Sequence, residues 1–429
     1  MQILTAGSLA LLPGSVSGLS ATGPEEETPD AGAAGRQHGV VTTQTCIGDG
    51  LALGDDLLVA ARQAVSSALA PLASATPDLA CVFVSGGTPE STEAALLHAA
   101  ELSGARTTVG CGAHGVMAAG RGIEATGGVS VWVAVLPSVS VRAFHLEVLR
   151  NGDAVAVLGM PQRRDDDVVG VLLADPWSFP ADGFVESAEA PLGHLPLVGG
   201  LASNAGGPGA TRLLVDGRVR DRGAVGVVLG GDLAVHTIVS QGCRPIGLPM
   251  TVTASYEDAL VELAGRPAFE QAKAAIRSLP DSEQVRAVRG LTLGVAVDEY
   301  AEIHTEFDVH EIAAADHVSG SISVGVDVPV GTTVQFLLRD AHAAHSDLAG
   351  VLGAFRRSIP MEGLAGALVF SCNSRGRSMF PTPDHDVTAV RGGLGLENVA
   401  GFFTAGEIGP LGGRNRVHGH AATVLAFVS

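Results

Sequence analysis

Periodic structure in this chain begins near residue 40. Residues 55–69 place apolar side chains at helical spacing behind Asp55 and Asp56, which predicts an amphipathic helix with an acidic start. After Pro77 the unbroken apolar run LACVFVS predicts a buried strand, followed by a helix at 89–102, a short strand at 107–110 and a longer one at 129–136. Strand, helix, strand in that order predicts an α/β layer. Residues 141–148 alternate, and the acidic, Pro-rich stretch from Arg163 through Pro191 reads as a crossover with short elements.

Strand-like runs come next at 212–215, 224–229 and 235–240. Residues 255–263 and 267–279 are predicted as helices, and Pro280 with Asp281 forms a break that could mark a domain boundary. Residues 291–297, 303–309, 322–328 and 333–338 then predict mostly antiparallel strands, ahead of a helix at 341–359 and a buried strand at 366–371. The expected fold class is α/β (α+β), with two related layered domains built on mixed sheets.

The expected relation between the domains comes from an internal similarity. The run CVFVS from Cys81 precedes GCGAHGVMAAG at Gly110 and the strand SVWVAVL, whereas LVFS from Leu368 precedes GFFTAGEIGP at Gly401 and the strand TVLAFV. Two glycines stand five apart in each copy, Gly110 with Gly115 and Gly401 with Gly406. This pattern predicts pseudo-symmetric halves that could face each other.

Composition narrows the function classes. A net charge of −19 repels phosphate backbones, and a 4% aromatic content offers few stacking platforms, so nucleic-acid binding is not expected. Lys273 is the single lysine, which leaves arginine as nearly the only cation able to grip an anion; the GxxxxGK[ST] phosphate loop is absent. Cys46, Cys81, Cys111, Cys243 and Cys372 are odd in number and include no CxxC pair, which points to reduced thiols in a cytoplasmic protein with no structural zinc. No apolar run approaches the roughly 18 residues of a membrane helix, and no membrane association is expected.

Three loops at strand ends carry the candidate chemistry: TVGCGAHG around Cys111 and His114, IVSQGCRPIG around Gly242, Cys243 and Arg244, and VFSCNSRGR around Ser371, Cys372, Asn373, Arg375 and Gly376. Ligands in open α/β sheets bind beyond the carboxyl ends of strands. An arginine there presents a planar fork matched to a carboxylate or phosphate. Glu407, set among apolar residues, needs a partner or a raised pKa. Two arrangements stay open: Arg375 pairs with Glu407 directly, or the two stand apart as a site complementary to an amino acid. Cys372 is also a candidate nucleophile, with Arg375 or Arg377 favouring its thiolate and His418 or His420 as base.

Metal patterns are weaker. His342, His345 and Asp347 share helical spacing of a kind that arises easily, and His304, Glu306, Asp308 and His310 form the polar face of an alternating strand. Asp384, His385 and Asp386 read as a helix cap or turn. No metal or cofactor is expected.

The ordered set VGCGAHGVM, VSQGCRPIG, LVFSCNSRGR and GFFTAGEIGP resembles the FIST family of bacterial proteins, named for F-box and intracellular signal transduction. The resemblance implies a FIST N-like domain at 40–245 and a FIST C-like domain at 246–429, behind a disordered tail at 1–39 that departs from the family pattern. It also implies a cytoplasmic sensory module that binds a small molecule, such as an amino acid, and passes a signal to a partner protein. The ligand-binding residues it would use are Cys111, His114, Gly242, Cys243, Arg244, Ser371, Cys372, Asn373, Arg375, Gly376 and Glu407, with no catalytic residues carried over. The alternative is a thiol-dependent hydrolase or transferase centred on Cys372.

Overall fold

The computed structural model describes residues 44–152, 154–189, 191–299, 301, 306–359 and 363–429, together with the backbone of 9–13. The rest of the expected tail, and His304, lie outside the described residues.

Three stretches of chain follow one strand plan. In the first, Cys46–Leu53 pairs antiparallel with Gly128–Val135, that strand pairs antiparallel with Leu79–Ser85, and Leu79–Ser85 runs parallel to Thr107–Ala113. Val139–Asn151, Ala224–Gly231, Asp167–Ala174 and Leu197–Leu201 repeat the plan. Val235–Ser240, Ala422–Val428, Leu364–Cys372 and Val399–Thr404 repeat it again. Parallel neighbours need a crossover, and in the three units it contains the helices Pro89–Ser103, Ala181–Ala188 and His385–Leu394.

Each unit then lends a hairpin to another. Gly115–Ala118 of the first pairs with Val399–Thr404 of the third, Leu213–Val215 of the second with Thr107–Ala113 of the first, and Glu407–Leu411 of the third with Leu197–Leu201 of the second. The exchange closes into a ring with pseudo-threefold order. The related halves expected from sequence are the first and third units, and the second stands between them.

One glycine recurs at the same place in all three. A Cβ at Gly110, Gly199 or Gly401 would lie 2.0, 2.0 or 1.7 Å from the carbonyl oxygen of Val82, Leu172 or Val369, its parallel partner. No side chain fits there.

The three sheets turn one apolar face toward a shared core. Phe83 stacks on Phe402 and Trp132 meets Phe427, each pair 4.9 Å between ring centres, and the same cluster takes in Val171 and Val227 of the second unit. The opposite face of the first sheet is covered by the Leu57–Leu69 and Pro89–Ser103 helices. Burial on both faces explains why LACVFVS reads as an unbroken apolar run.

A further sheet is inserted in the third unit between Val235–Ser240 and the Ala341–Ser358 helix. Its strands include Arg244–Tyr256, Leu291–Ala296, Phe307–Glu311 and Thr333–Leu338, and it is covered by the helices Ala268–Arg277 and Asp281–Gly290. Arg244 pairs with Leu338, so the chain enters and leaves this module at one point.

The structure corrects the expected helix at 255–263. Tyr256 pairs with Ala259 across a two-residue turn in which Glu257 is left-handed (φ 52°), so the segment is a β-hairpin. The break at Pro280 and Asp281 is the start of a second helix, and the strand expected at 322–328 shrinks to Ile322–Ser323. Among the described residues no helix is long and apolar enough to cross a membrane.

Candidate functional site

The strand Leu364–Cys372 brings a buried apolar run to an abrupt polar end, and the chain turns through a 3-10 turn at Asn373–Arg375. That turn sends the Arg375 side chain inward, where it is 1% exposed. Its Nε donates to Asp386 Oδ2 at 2.7 Å and its Nη2 to Asp386 Oδ1 at 3.0 Å, a bidentate fork. Ser371 Oγ also donates to Asp386. These donors hold the Asp386 carboxyl well below the usual carboxylate range despite complete burial.

Asp386 stands in the first turn of the His385–Leu394 helix, where the sequence suggested only a cap or turn. His385 Nδ1 lies 2.8 Å from Asp386 Oδ1, its Nε2 lies 2.9 Å from His345 Nδ1, and its ring stacks on Phe380. The third guanidinium nitrogen, Arg375 Nη1, is buried without a hydrogen-bond partner among the described residues. Gly242 (φ 68°) lies against it, and a Cβ there would come 2.4 Å from Nη1. Gly242 N and Ser240 Oγ both donate to Asp347, at 2.9 and 2.7 Å, which fixes that loop and gives Asp347 a structural role.

Glu407 opens the hairpin strand that the third unit lends to the second, and it is fully buried. Thr404 Oγ1 donates to one carboxylate oxygen and Ala421 N to the other at 2.9 Å. Burial still outweighs these donors and the field of Arg375, so its pKa is pushed up to about 8. Arg375 and Glu407 are thus electrostatic neighbours, while the hydrogen-bonded ion pair is Arg375 with Asp386.

Burial, and then the charge of Glu407, raises the Cys372 thiol well above its ordinary value. A thiolate nucleophile needs the opposite shift. Beside it, Ser374 Oγ lies 3.2 Å from Cys372 Sγ and 2.5 Å from His420 Nδ1, and His420 Nε2 lies 2.7 Å from Glu311 Oε1. The structure therefore joins Ser371, Cys372, Arg375, Gly242 and Glu407 with Ser374, Thr404, Asp386, His420 and Glu311. Asn373 sits in the same turn with its Oδ1 buried and unpartnered among the described residues.

Other expected residues fall elsewhere. Cys111 is buried in the shared core with Phe83 and Trp132, and burial raises its thiol. His114 enters through its backbone, N donating to Ser203 Oγ at 2.9 Å. Cys243 packs beside Phe307 and Leu337, its thiol pushed up to about 12 by burial. Arg244 points away to form an ion pair with Glu283 of the inserted module. Gly376 marks a close approach, since a Cβ there would lie 2.0 Å from Glu124 Oε1 of the hairpin lent by the first unit. Asp386 was legible only as a helix cap or turn, and Glu311, beyond the strand expected at 303–309, was not singled out at all.

The family model described as the FIST N domain matches residues 78–266, and that described as the FIST C domain matches 268–410. An uncharacterized protein of Mycobacterium tuberculosis is 37% identical over 387 residues, covering 89% of this chain and 99% of that protein. An uncharacterized protein of Mycobacterium bovis is 36% identical over 384 residues, covering 89% and 98%. Among solved structures, cyanuric acid hydrolase from A. caulinodans covers 90% of this chain and 100% of that chain at 12% identity and a TM-score of 0.27, a likeness too slight to bear on function. With both models matched in order over most of its length, the chain belongs to the FIST family, whose domains are associated with signal transduction and the sensing of small ligands.

Proposed function

We propose that the chain is a cytoplasmic sensor that binds an amino acid or a similar small carboxylate at the Arg375 and Glu407 cluster and signals through a separate protein. The observation that carries this reading is Arg375 Nη1, buried and without a hydrogen-bond partner among the described residues. A buried donor without a partner is costly, and a ligand carboxylate would satisfy it with a charge-assisted bond. Gly242 approaches Nη1 so closely that a Cβ there would lie 2.4 Å from it, so no side chain at that position competes for the donor. Glu407 supplies the complementary half: largely protonated in the empty site, it ionises when an ammonium group arrives beside it. The five free cysteines fit a reducing compartment.

The test is calorimetry and thermal shift with a panel of amino acids, each beside its analogue lacking the amino group. Binding near pH 7 should release close to one proton, read as a heat that depends on the ionisation enthalpy of the buffer. Glu407→Gln should weaken the amino acid by about tenfold or more, as expected for a lost charge-assisted bond, and leave the deaminated analogue unchanged. No shift with any member of the panel, or equal binding by wild type and Glu407→Gln, would refute the site.

A further inference from the structure

Three side chains from distant parts of the chain meet at the rim of this cluster. Ser374 lies in the 3-10 turn after Leu364–Cys372, His420 precedes the Ala422–Val428 strand, and Glu311 ends the Phe307–Glu311 strand of the inserted module. Ser374 Oγ lies 2.5 Å from His420 Nδ1, His420 Nε2 lies 2.7 Å from Glu311 Oε1, and Arg339 Nη2 holds that same oxygen at 3.2 Å. We propose that Ser374 and His420 are a catalytic nucleophile and base, with Glu311 positioning the imidazole, for acyl transfer from small carboxylic esters or amides to water.

The hydrogen bonds assign the roles. Glu311, when ionised, is only an acceptor, so it selects the tautomer with the proton on Nε2 and leaves the Nδ1 lone pair facing the Ser374 hydroxyl. A nucleophile in reach of a base that a third group orients is the arrangement such chemistry needs, whichever ring nitrogen faces the serine. His420 is held in a left-handed conformation (φ 63°), an uncommon state for a residue with a Cβ that tends to persist where surroundings fix it. Here the next residue is tied on both sides: Ala421 N donates to Glu407 at 2.9 Å, and Ala421 O accepts from Cys372 N at 3.0 Å.

Burial, followed by the charges of Arg339 and Arg375, lowers the His420 pKa against the opposing pull of Glu311, and so keeps the ring in its basic form at neutral pH. Ser374 and His420 are half-buried and Glu311 is exposed. Cys372, although 3.2 Å from Ser374 Oγ, stays a thiol.

In the first step Ser374 Oγ bonds to the substrate carbonyl carbon as its proton passes to His420 Nδ1. The carbonyl carbon's bond to the leaving oxygen or nitrogen then breaks, and the leaving atom takes that proton. Water attacks the acyl-serine, giving a proton to Nδ1. Cleavage of the acyl bond to Oγ returns the proton to Ser374 and releases the acid. The net reaction consumes one water per ester or amide.

The test uses the full chain with p-nitrophenyl acetate and a fluorophosphonate, with peptide mass spectrometry to place the label. Neither probe carries an amino or carboxylate group, so the outcome is separable from that of the sensor reading. One label per chain is expected on Ser374, lost in Ser374→Ala. His420→Asn, a side chain that tolerates a left-handed backbone, should slow labelling about 100-fold or more at an unchanged melting temperature. Glu311→Gln should slow turnover and move the acid limb of kcat/KM to lower pH, because its charge no longer raises the His420 pKa; a merely structural Glu311 would leave that limb in place. Labelling at another residue, or wild-type rates in Ser374→Ala or His420→Asn, would overturn the proposal.

Discussion

Glu407 concentrates the opposing electrostatic demands of the third unit in one carboxyl. Its folded pKa lies above its ordinary value, so the stability it contributes is complete below 4.5 and is lost as pH rises through about 8. Asp386 has the opposite sign: its folded pKa is depressed, so its contribution is present above 3.8 and is lost as pH falls through the lower folded value. Between them the two residues favour mildly acidic conditions. Glu407→Gln removes the alkaline loss, and its melting temperature should fall less between pH 6 and pH 9 than that of the wild type, at roughly 1 °C for each kcal/mol recovered in a chain of this length. Equal falls in both proteins would assign the alkaline loss to another group. The sequence marked Glu407 as an acid in apolar surroundings, but which base it faces is decided by Asp386, a residue eleven positions beyond Arg375 that takes the guanidinium fork.

Among the elements, buried strands and long helices were legible because their pattern comes from burial on both faces or on one stripe, as in Leu79–Ser85 and Ala341–Ser358. The hairpin around Glu257 was not, because Leu260 and Leu263, three apart, match a helical spacing, whereas a regular strand would send them to opposite faces. Only the left-handed turn and the irregular ladder to 252–256 make it a strand. The recurrent glycine gives the element-scale prediction. Gly401→Ala sets a Cβ 1.7 Å from Val369 O, so the parallel pair must separate, at a cost of at least about 3 kcal/mol. Gly350→Ala, in the Ala341–Ser358 helix with nothing within 4 Å of its new Cβ, should instead stabilise by about 0.5–1 kcal/mol. Urea denaturation of both variants measures the contrast, and similar midpoints would contradict the close approach.

At the scale of the molecule the exchanged hairpins make the three units interdependent. The hairpin of residues 115–124 has its partner strand in the third unit, and Leu197–Leu201 takes its antiparallel partner from Glu407–Leu411. A fragment of residues 44–234 would leave these edges unpaired and the Phe83 and Trp132 side of its core without Phe402 and Phe427. Such a fragment should lack a cooperative thermal transition and should associate, as followed by near-UV circular dichroism and size-exclusion chromatography. A monomeric fragment with a sharp transition would show that the units fold independently.

By itself the sequence determined the α/β class, most strands and helices, the relation between the first and third units, and the loop in which Cys372 and Arg375 stand. Each of these follows from local pattern: apolar periodicity, turn residues, and paired glycines that no side chain can replace. The middle unit escaped because its copy of the motif keeps Gly199 but has Asn204 where the others have a second glycine. Tertiary structure alone decided the ring of exchanged hairpins, the pairing of Arg375 with Asp386, and the meeting of Ser374 with His420 and Glu311. These contacts join residues 11, 46 and 109 positions apart. The ring that closes around them, and not any local periodicity, sets which side chains converge.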